Sequence, residues 1–231
     1  MENIKWIKMS EKGNRNSTIF HDCNYQYFLK QIKCQPIDFA HMNSNKNEML
    51  QSDKILVWKE IDIVLLYYNF LQKKNLPHIK IHKSELKRKD DGIFIEMISD
   101  FVPMNMIEFI KKSENQIRFL SIQLFFQCYY LHILQIKHCD LHAGNIMIRP
   151  LPKKKTIKLF YKNCFYFLHN QSFECYIIDF GFSKIDMDHK GVYEFRNFMK
   201  KVEKDLQLVL FSNHGHTWDH YFYKISKYLA F

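Results

Sequence analysis

Two stretches decide the reading of this 231-residue chain: His138–Ile148, HCDLHAGNIMI, and Tyr176–Lys184, YIIDFGFSK. In the first, Asp140 stands five residues before Asn145, on a tight loop that leads into the apolar run Ile146 to Ile148. In the second, Asp179 ends the apolar run Tyr176 to Ile178, and Gly181 lets the backbone turn sharply behind it. Two carboxylates and an amide therefore stand on turns beside short apolar strands.

These blocks resemble the H-R-D-L-x-x-x-N and D-F-G signatures of the protein-kinase-like superfamily. The resemblance implies ATP-dependent phosphoryl transfer to Ser or Thr hydroxyls of protein substrates, with ATP and Mg2+ as cofactors. Magnesium takes hard oxygen ligands from carboxylates, amides and water. On this resemblance Asp179 is the principal metal ligand, Asn145 the second, and Asp140 the base that orients the acceptor hydroxyl and takes its proton. His142 stands where Ser/Thr kinases have lysine, and the loop is similar to the HGDLHPGN loop of aminoglycoside and choline phosphotransferases. There it either steadies the transferring phosphate when protonated or caps the loop. Cys139 occupies the place of the arginine that reads a phosphorylated activation loop, so that switch is not expected.

The implied fold is α+β and bilobal: a small β-rich N-lobe with one helix over 1–98, a hinge near 96–99, and a reduced, mainly helical C-lobe over 99–231. Hydrophobic residues make up 47% of the chain, with 21 Phe, which is ample for such a core. No apolar run reaches the length of a membrane span, and MENIKWIKMSEK has no secretory core, so an intracellular, cytoplasmic protein is expected, in host cytoplasm or virion if viral. Six cysteines without CxxC spacing read as reduced thiols.

Within the N-lobe, Ile4 to Met9, Ser17 to Cys23 and Gln26 to Ile32 read as strands. Lys30 follows an apolar pair as in the V-A-I-K pattern and is the candidate for the α and β phosphates, with Lys33 as its alternative. The run from Asp53 to Leu76 reads as a largely buried helix. Glu60 on it is the expected partner of the lysine, with Glu48 as the alternative. Ile79 to His82 and Gly92 to Ile98 read as paired strands. The resemblance makes Ile95 the guard of the adenine pocket and gives Glu96 to Ile98 the backbone contacts to adenine. The phosphate-covering turn Ser10 to Asn16 has only Gly13, with Lys12 and Arg15 beside it to help an anion nest.

Gln116 to Lys137 is expected as a long amphipathic helix entering the catalytic loop, and 150–175 as a β-hairpin insertion. A helix from about Tyr193 to Phe211 would place Asp205 as the buried acid that anchors the loop's backbone, and Trp218 to Leu229 makes one further helix. No A-P-E motif follows Gly181. This compact plan resembles the RIO kinases, the small kinase of the tRNA-threonylcarbamoylation complex and compact kinases of large DNA viruses. A net charge of +10 suits an acidic substrate, nucleic acid or a ribonucleoprotein, or is simply a solvated lysine-rich surface. His214, His216 and His220 lack neighbours at zinc-site spacing. A small-molecule phosphotransferase, favoured by His142, and a pseudokinase or ATPase subunit acting through a partner, favoured by the poor glycine loop, are the alternatives. Oligomeric state is not legible.

Overall fold

The computed structural model describes residues 4–12, 17–40, 45–54, 56–113, 116–205, 211 and 214–230. It is a mixed α+β structure with antiparallel sheets and seven helices. The first half is a five-stranded sheet of β1 (Trp6–Lys12), β2 (Ser17–Asp22), β3 (Tyr27–Lys33), β4 (Ile81–Lys89) and β5 (Gly92–Asp100), in the order β1-β2-β3-β5-β4. Strand β3 is central, with Lys30 opposite Ile19 on one side and Met97 on the other. Three helices lie between β3 and β4 rather than the single one expected: α1 (Pro36–Ala40), α2 (Lys46–Gln51) and α3 (Val57–Lys73). The two short ones carry too few residues to show a helical period in sequence.

Helix α3 has apolar residues on most of its faces and buries Ile63, Val64, Tyr67 and Leu71, as a helix inside the molecule must. Its first turn also packs on the sheet, where Val57 meets Ile32 and Ile95. The chain leaves β5 at Asp100, whose carboxylate accepts hydrogen bonds from His82 (2.7 Å) and Arg149 (3.1 Å). The end of the sheet is thereby tied to the second half.

That half contains β6 (Met104–Asn105), α4 (Met106–Lys112), α5 (Ile117–Ile133), β7 (Ile136–Lys137), β8 (Ile146–Tyr161), β9 (Cys164–Ile177), β10 (Lys184–Ile185), α6 (Gly191–Asp205) and α7 (Trp218–Ser226). Asn105 and Glu108 form a reciprocal capping box that starts α4. Helix α5 is shorter than expected and not amphipathic: every residue from Leu120 to Leu131 is buried. It threads the core between the β8–β9 hairpin and helices α6 and α7.

The hairpin is longer than the expected insertion and is not a surface appendage. Tyr161 pairs with Cys164 across a two-residue loop in which Lys162 and Asn163 both have positive φ, the geometry that matches strand twist in a tight hairpin. Ile157, Leu159, Leu168 and Phe173 are buried, Tyr161 stacks on Phe222 of α7 at 4.1 Å, and Phe167 bridges to Ala230. The second half therefore rests on a strand pair as much as on helices. All six cysteines are free, and among the described residues no helix is long and apolar enough to cross a membrane.

Candidate active site

The structure brings Lys30, Glu60 and Asp179 together from three distant parts of the chain. Lys30 Nζ lies 2.5 Å from Glu60 Oε1 and 3.0 Å from Asp179 Oδ1. The ion pair thus involves Lys30 rather than Lys33, whose ammonium lies 3.6 Å from Asp91, and Glu60 rather than Glu48, which hydrogen-bonds Asn45. Strand alternation explains the choice of lysine: Lys30 and Lys33 differ by an odd number of residues and so face opposite sides of β3. Burial works to lower the pKa of Lys30, but the carboxylates of Glu60 and Asp179 outweigh it and hold the ammonium above its usual range. For Asp179, burial acts to raise the carboxyl, and Lys30 more than offsets it, leaving the group below the usual carboxylate range. Asp179 is therefore an anion under all mild conditions.

Asp179 adopts a left-handed backbone with φ of 63°, and Cys139, just before Asp140, does the same at 65°. Such conformations cost a non-glycine residue about 1–3 kcal/mol and persist where surrounding contacts fix them. Here the contacts are specific. The buried His138 ring meets the Ile178 carbonyl at 3.0 Å through Nε2, which must be the protonated nitrogen because a carbonyl only accepts. Burial holds the His138 pKa down, so the ring is neutral. The Ile178 amide donates to the Asn145 carbonyl at 3.0 Å, and Ser183 Oγ donates to the His138 carbonyl at 3.1 Å. The two loops are thus cross-linked backbone to backbone. Phe180 is buried between the His138 ring (5.1 Å) and Tyr67 of α3 (5.3 Å), which couples α3 to both loops.

In the 138–145 loop, Asn145 Nδ2 donates to the Asp140 carbonyl at 2.9 Å, which leaves the amide oxygen as a free hard donor. The Asp140 carboxylate is accessible and lies 3.8 Å from His142 Nε2. His142 Nδ1 accepts from the Gly144 amide at 3.1 Å and so caps the 3-10 turn Ala143–Asn145. A side chain at Gly144 would put its Cβ 2.9 Å from the His142 ring, so this cap requires glycine. Capping, one of the two roles open to His142, is the one its contacts display.

The residues expected to meet adenine lie elsewhere. Glu96 and Ile98 are inside β5, hydrogen-bonded to β3 on one side and β4 on the other, so their backbone has no free edge. Glu96 also faces away from Lys30, because it pairs with Gln31 whereas Lys30 pairs with Met97. Its carboxylate takes Gln31 (2.6 Å), Lys87 (2.8 Å) and Lys89 (3.0 Å) on the outer face. Ile95 packs with Ile32 and Val57 under α3. The segment that leaves the sheet is Phe101 to Pro103. The Phe101 amide returns to the Gln26 carbonyl at 2.9 Å, and among the described residues the Val102 amide finds no backbone acceptor. The expected hinge thus moves from 96–99 to 101–103. The sequence pattern located the strand correctly, but not its end, because Ser99 and Asp100 continue the pairing.

Gly13 and Arg15 lie outside the described residues, as do the side chains of Lys12 and Asp205. The anchor expected of Asp205 is supplied by Glu194 in the first turn of α6. Its carboxylate accepts the amides of His138 (3.3 Å) and Cys139 (2.9 Å), and His189 stands 3.2 Å away. Burial acts to raise Glu194, but these donors hold it below the usual range. Nothing in HKGVYEF marks this glutamate; only the docking of α6 under the loop reveals it.

Near the C-terminus, His214 pairs with Glu203 (2.7 Å) and His216 with Arg196 (3.0 Å). Among the described residues no cluster of three or more His, Cys, Asp or Glu side chains is arranged to hold a metal. No family model matches the chain, and no curated protein matches it.

Proposed function

We propose that this chain is a compact, atypical protein kinase that transfers the γ-phosphoryl group of ATP to Ser or Thr hydroxyls. The observation that carries the reading is the convergence of Lys30, Glu60 and Asp179 beside a loop bearing Asp140 and Asn145. The sheet with α3 on one side of 101–103, and the helices and hairpin on the other, support a bilobal arrangement with the nucleotide between.

In this reading Lys30, held in place by Glu60, contacts the phosphates, and the Val102 backbone meets the adenine edge. Magnesium, when bound, neutralises phosphate charge. Asp179, an anion with half-exposed oxygens, and the unused amide oxygen of Asn145 are the hard donors that would hold it. Asp140 hydrogen-bonds the acceptor hydroxyl and takes its proton. The hydroxyl oxygen bonds to the γ-phosphorus as the bond from that phosphorus to the bridging oxygen breaks, and ADP leaves with the electron pair. His142 fixes the loop, and Glu194 fixes the backbone that precedes Asp140.

The test is magnesium-dependent transfer from labelled ATP to casein-like proteins and to a panel of hydroxylated metabolites, by wild type, Asp140→Ala and Asp179→Asn. Label is expected in protein, with losses of at least ~100-fold in each variant. Label confined to metabolites would replace the protein-kinase reading with a small-molecule phosphotransferase. Residual activity equal in wild type and variants would remove the catalytic assignment.

A further inference from the structure

A cleft of about 640 Å³ opens between the Asp140 loop, the segment leading into α6, and α6 itself. That is within the size range of ligand-binding clefts. Lys30, Glu60 and Asp179 do not line it, whereas Cys139 and Leu141, the two neighbours of Asp140, both do. The loop that carries the proposed base is thus one wall of a space separate from the lysine and its two carboxylates.

Much of the charge in this cleft is already matched internally. Lys137 lies 3.8 Å from Asp186, and Glu194 is held by His189 and two amides. Lys190 and Lys201 also line it, both exposed, and no carboxylate among the described residues pairs with either. Against them stands Asp188. After internal pairing the cleft is left with a surplus of positive charge, in a chain of net charge +10. Large apolar side chains stand open in the same stretch: Phe182 is 44%, Met187 61% and Tyr193 45% exposed. Unmatched cations beside exposed apolar and aromatic groups are the make-up of a surface that takes a polypeptide.

We infer that this cleft docks the acceptor and that the acceptor is an acidic polypeptide segment, its carboxylates meeting Lys190 and Lys201 while its Ser or Thr reaches Asp140. The inference rests on the kinase reading above and adds to it the place and charge of the substrate.

The experiment compares Ser/Thr peptides that differ only in acidic or basic flanking residues, using wild type, Lys190→Glu/Lys201→Glu and Lys190→Ala/Lys201→Ala. Both lysines are exposed, and thermal melts check that each variant is folded. Wild type is expected to favour acidic flanks by about tenfold or more in kcat/KM. The alanine pair should lose that preference through a higher peptide KM, and the charge reversal should invert it, with the KM for ATP unchanged. A preference for basic flanks in wild type, or selectivity that is the same in all three proteins, would overturn the inference. Asp140→Ala separates the two levels. If it abolishes transfer while the lysine variants keep wild-type selectivity, only the docking site fails; if transfer survives it, the kinase reading fails first.

Discussion

Glu194 accepts the backbone amide of Cys139 at 2.9 Å, from a helix that begins more than fifty residues later in the chain. The same carboxylate takes the amide of His138, so the residues preceding Asp140 are positioned by α6 rather than by their own loop.

Glu194→Ala should therefore leave two amides without an acceptor, at a cost of about 1–3 kcal/mol in stability. Because Asp140 would lose its fixed position, kcat should fall by roughly 10- to 100-fold with little change in the KM for ATP. Glu194→Gln keeps one acceptor oxygen and should fall between. The carboxyl sits below its usual range in the folded protein, so its contribution is present above the ordinary glutamate value and is lost as pH falls through the folded one. Urea unfolding of wild type and Glu194→Gln should accordingly converge at acid pH.

Removing Lys30 strands Glu60, whose side chain is only 2% exposed. Lys30→Met should cost about 3 kcal/mol and raise the KM for ATP. The double variant Lys30→Met/Glu60→Leu should recover most of the stability and none of the transfer, a split that separates the structural from the functional role of the pair. Urea midpoints and steady-state kinetics measure the two parts.

The same lysine sets the ionisation of Asp179. In wild type the Asp179 carboxyl titrates below the usual range, so its contribution is present above the ordinary aspartate value and disappears only as pH falls through the lowered one. In Lys30→Met the burial remains and the nearby ammonium is gone. Carbon-13 NMR of the carboxyl should then find the midpoint shifted upward, above the usual aspartate range.

Phe180 is 1% exposed and touches both His138 and α3. Phe180→Ala should cost about 3–5 kcal/mol through the cavity it leaves. Tyr68→Phe removes the hydroxyl that donates to the Ile177 carbonyl at 2.9 Å, and should cost about 1 kcal/mol. Calorimetric or urea unfolding of the two variants checks the order of these effects.

Much of the site was legible because its residues are defined by neighbours close in sequence. Asp140, His142 and Asn145 sit on one tight turn, and Asp179 on another, so spacing alone groups them. Lys30 was legible from its strand, though parity alone did not choose it over Lys33 until the facing helix was seen. The adenine contact was misplaced because strand ends depend on pairing: β5 runs on through Ser99 and Asp100 since β3 offers partners that far. The short helices α1 and α2 were missed because so few residues show no period.

The sequence by itself determined the mixed α+β class, the principal strands, the buried helix α3 and the two loops that carry the carboxylates, because local periodicity and turn chemistry act over a few residues. Only the tertiary structure decided that Lys30 meets Glu60 and Asp179, that Glu194 rather than a later aspartate holds the loop, and that the long hairpin is part of the core. Each of these is a contact between segments tens of residues apart, selected by which faces can be buried together, and no local pattern encodes that choice.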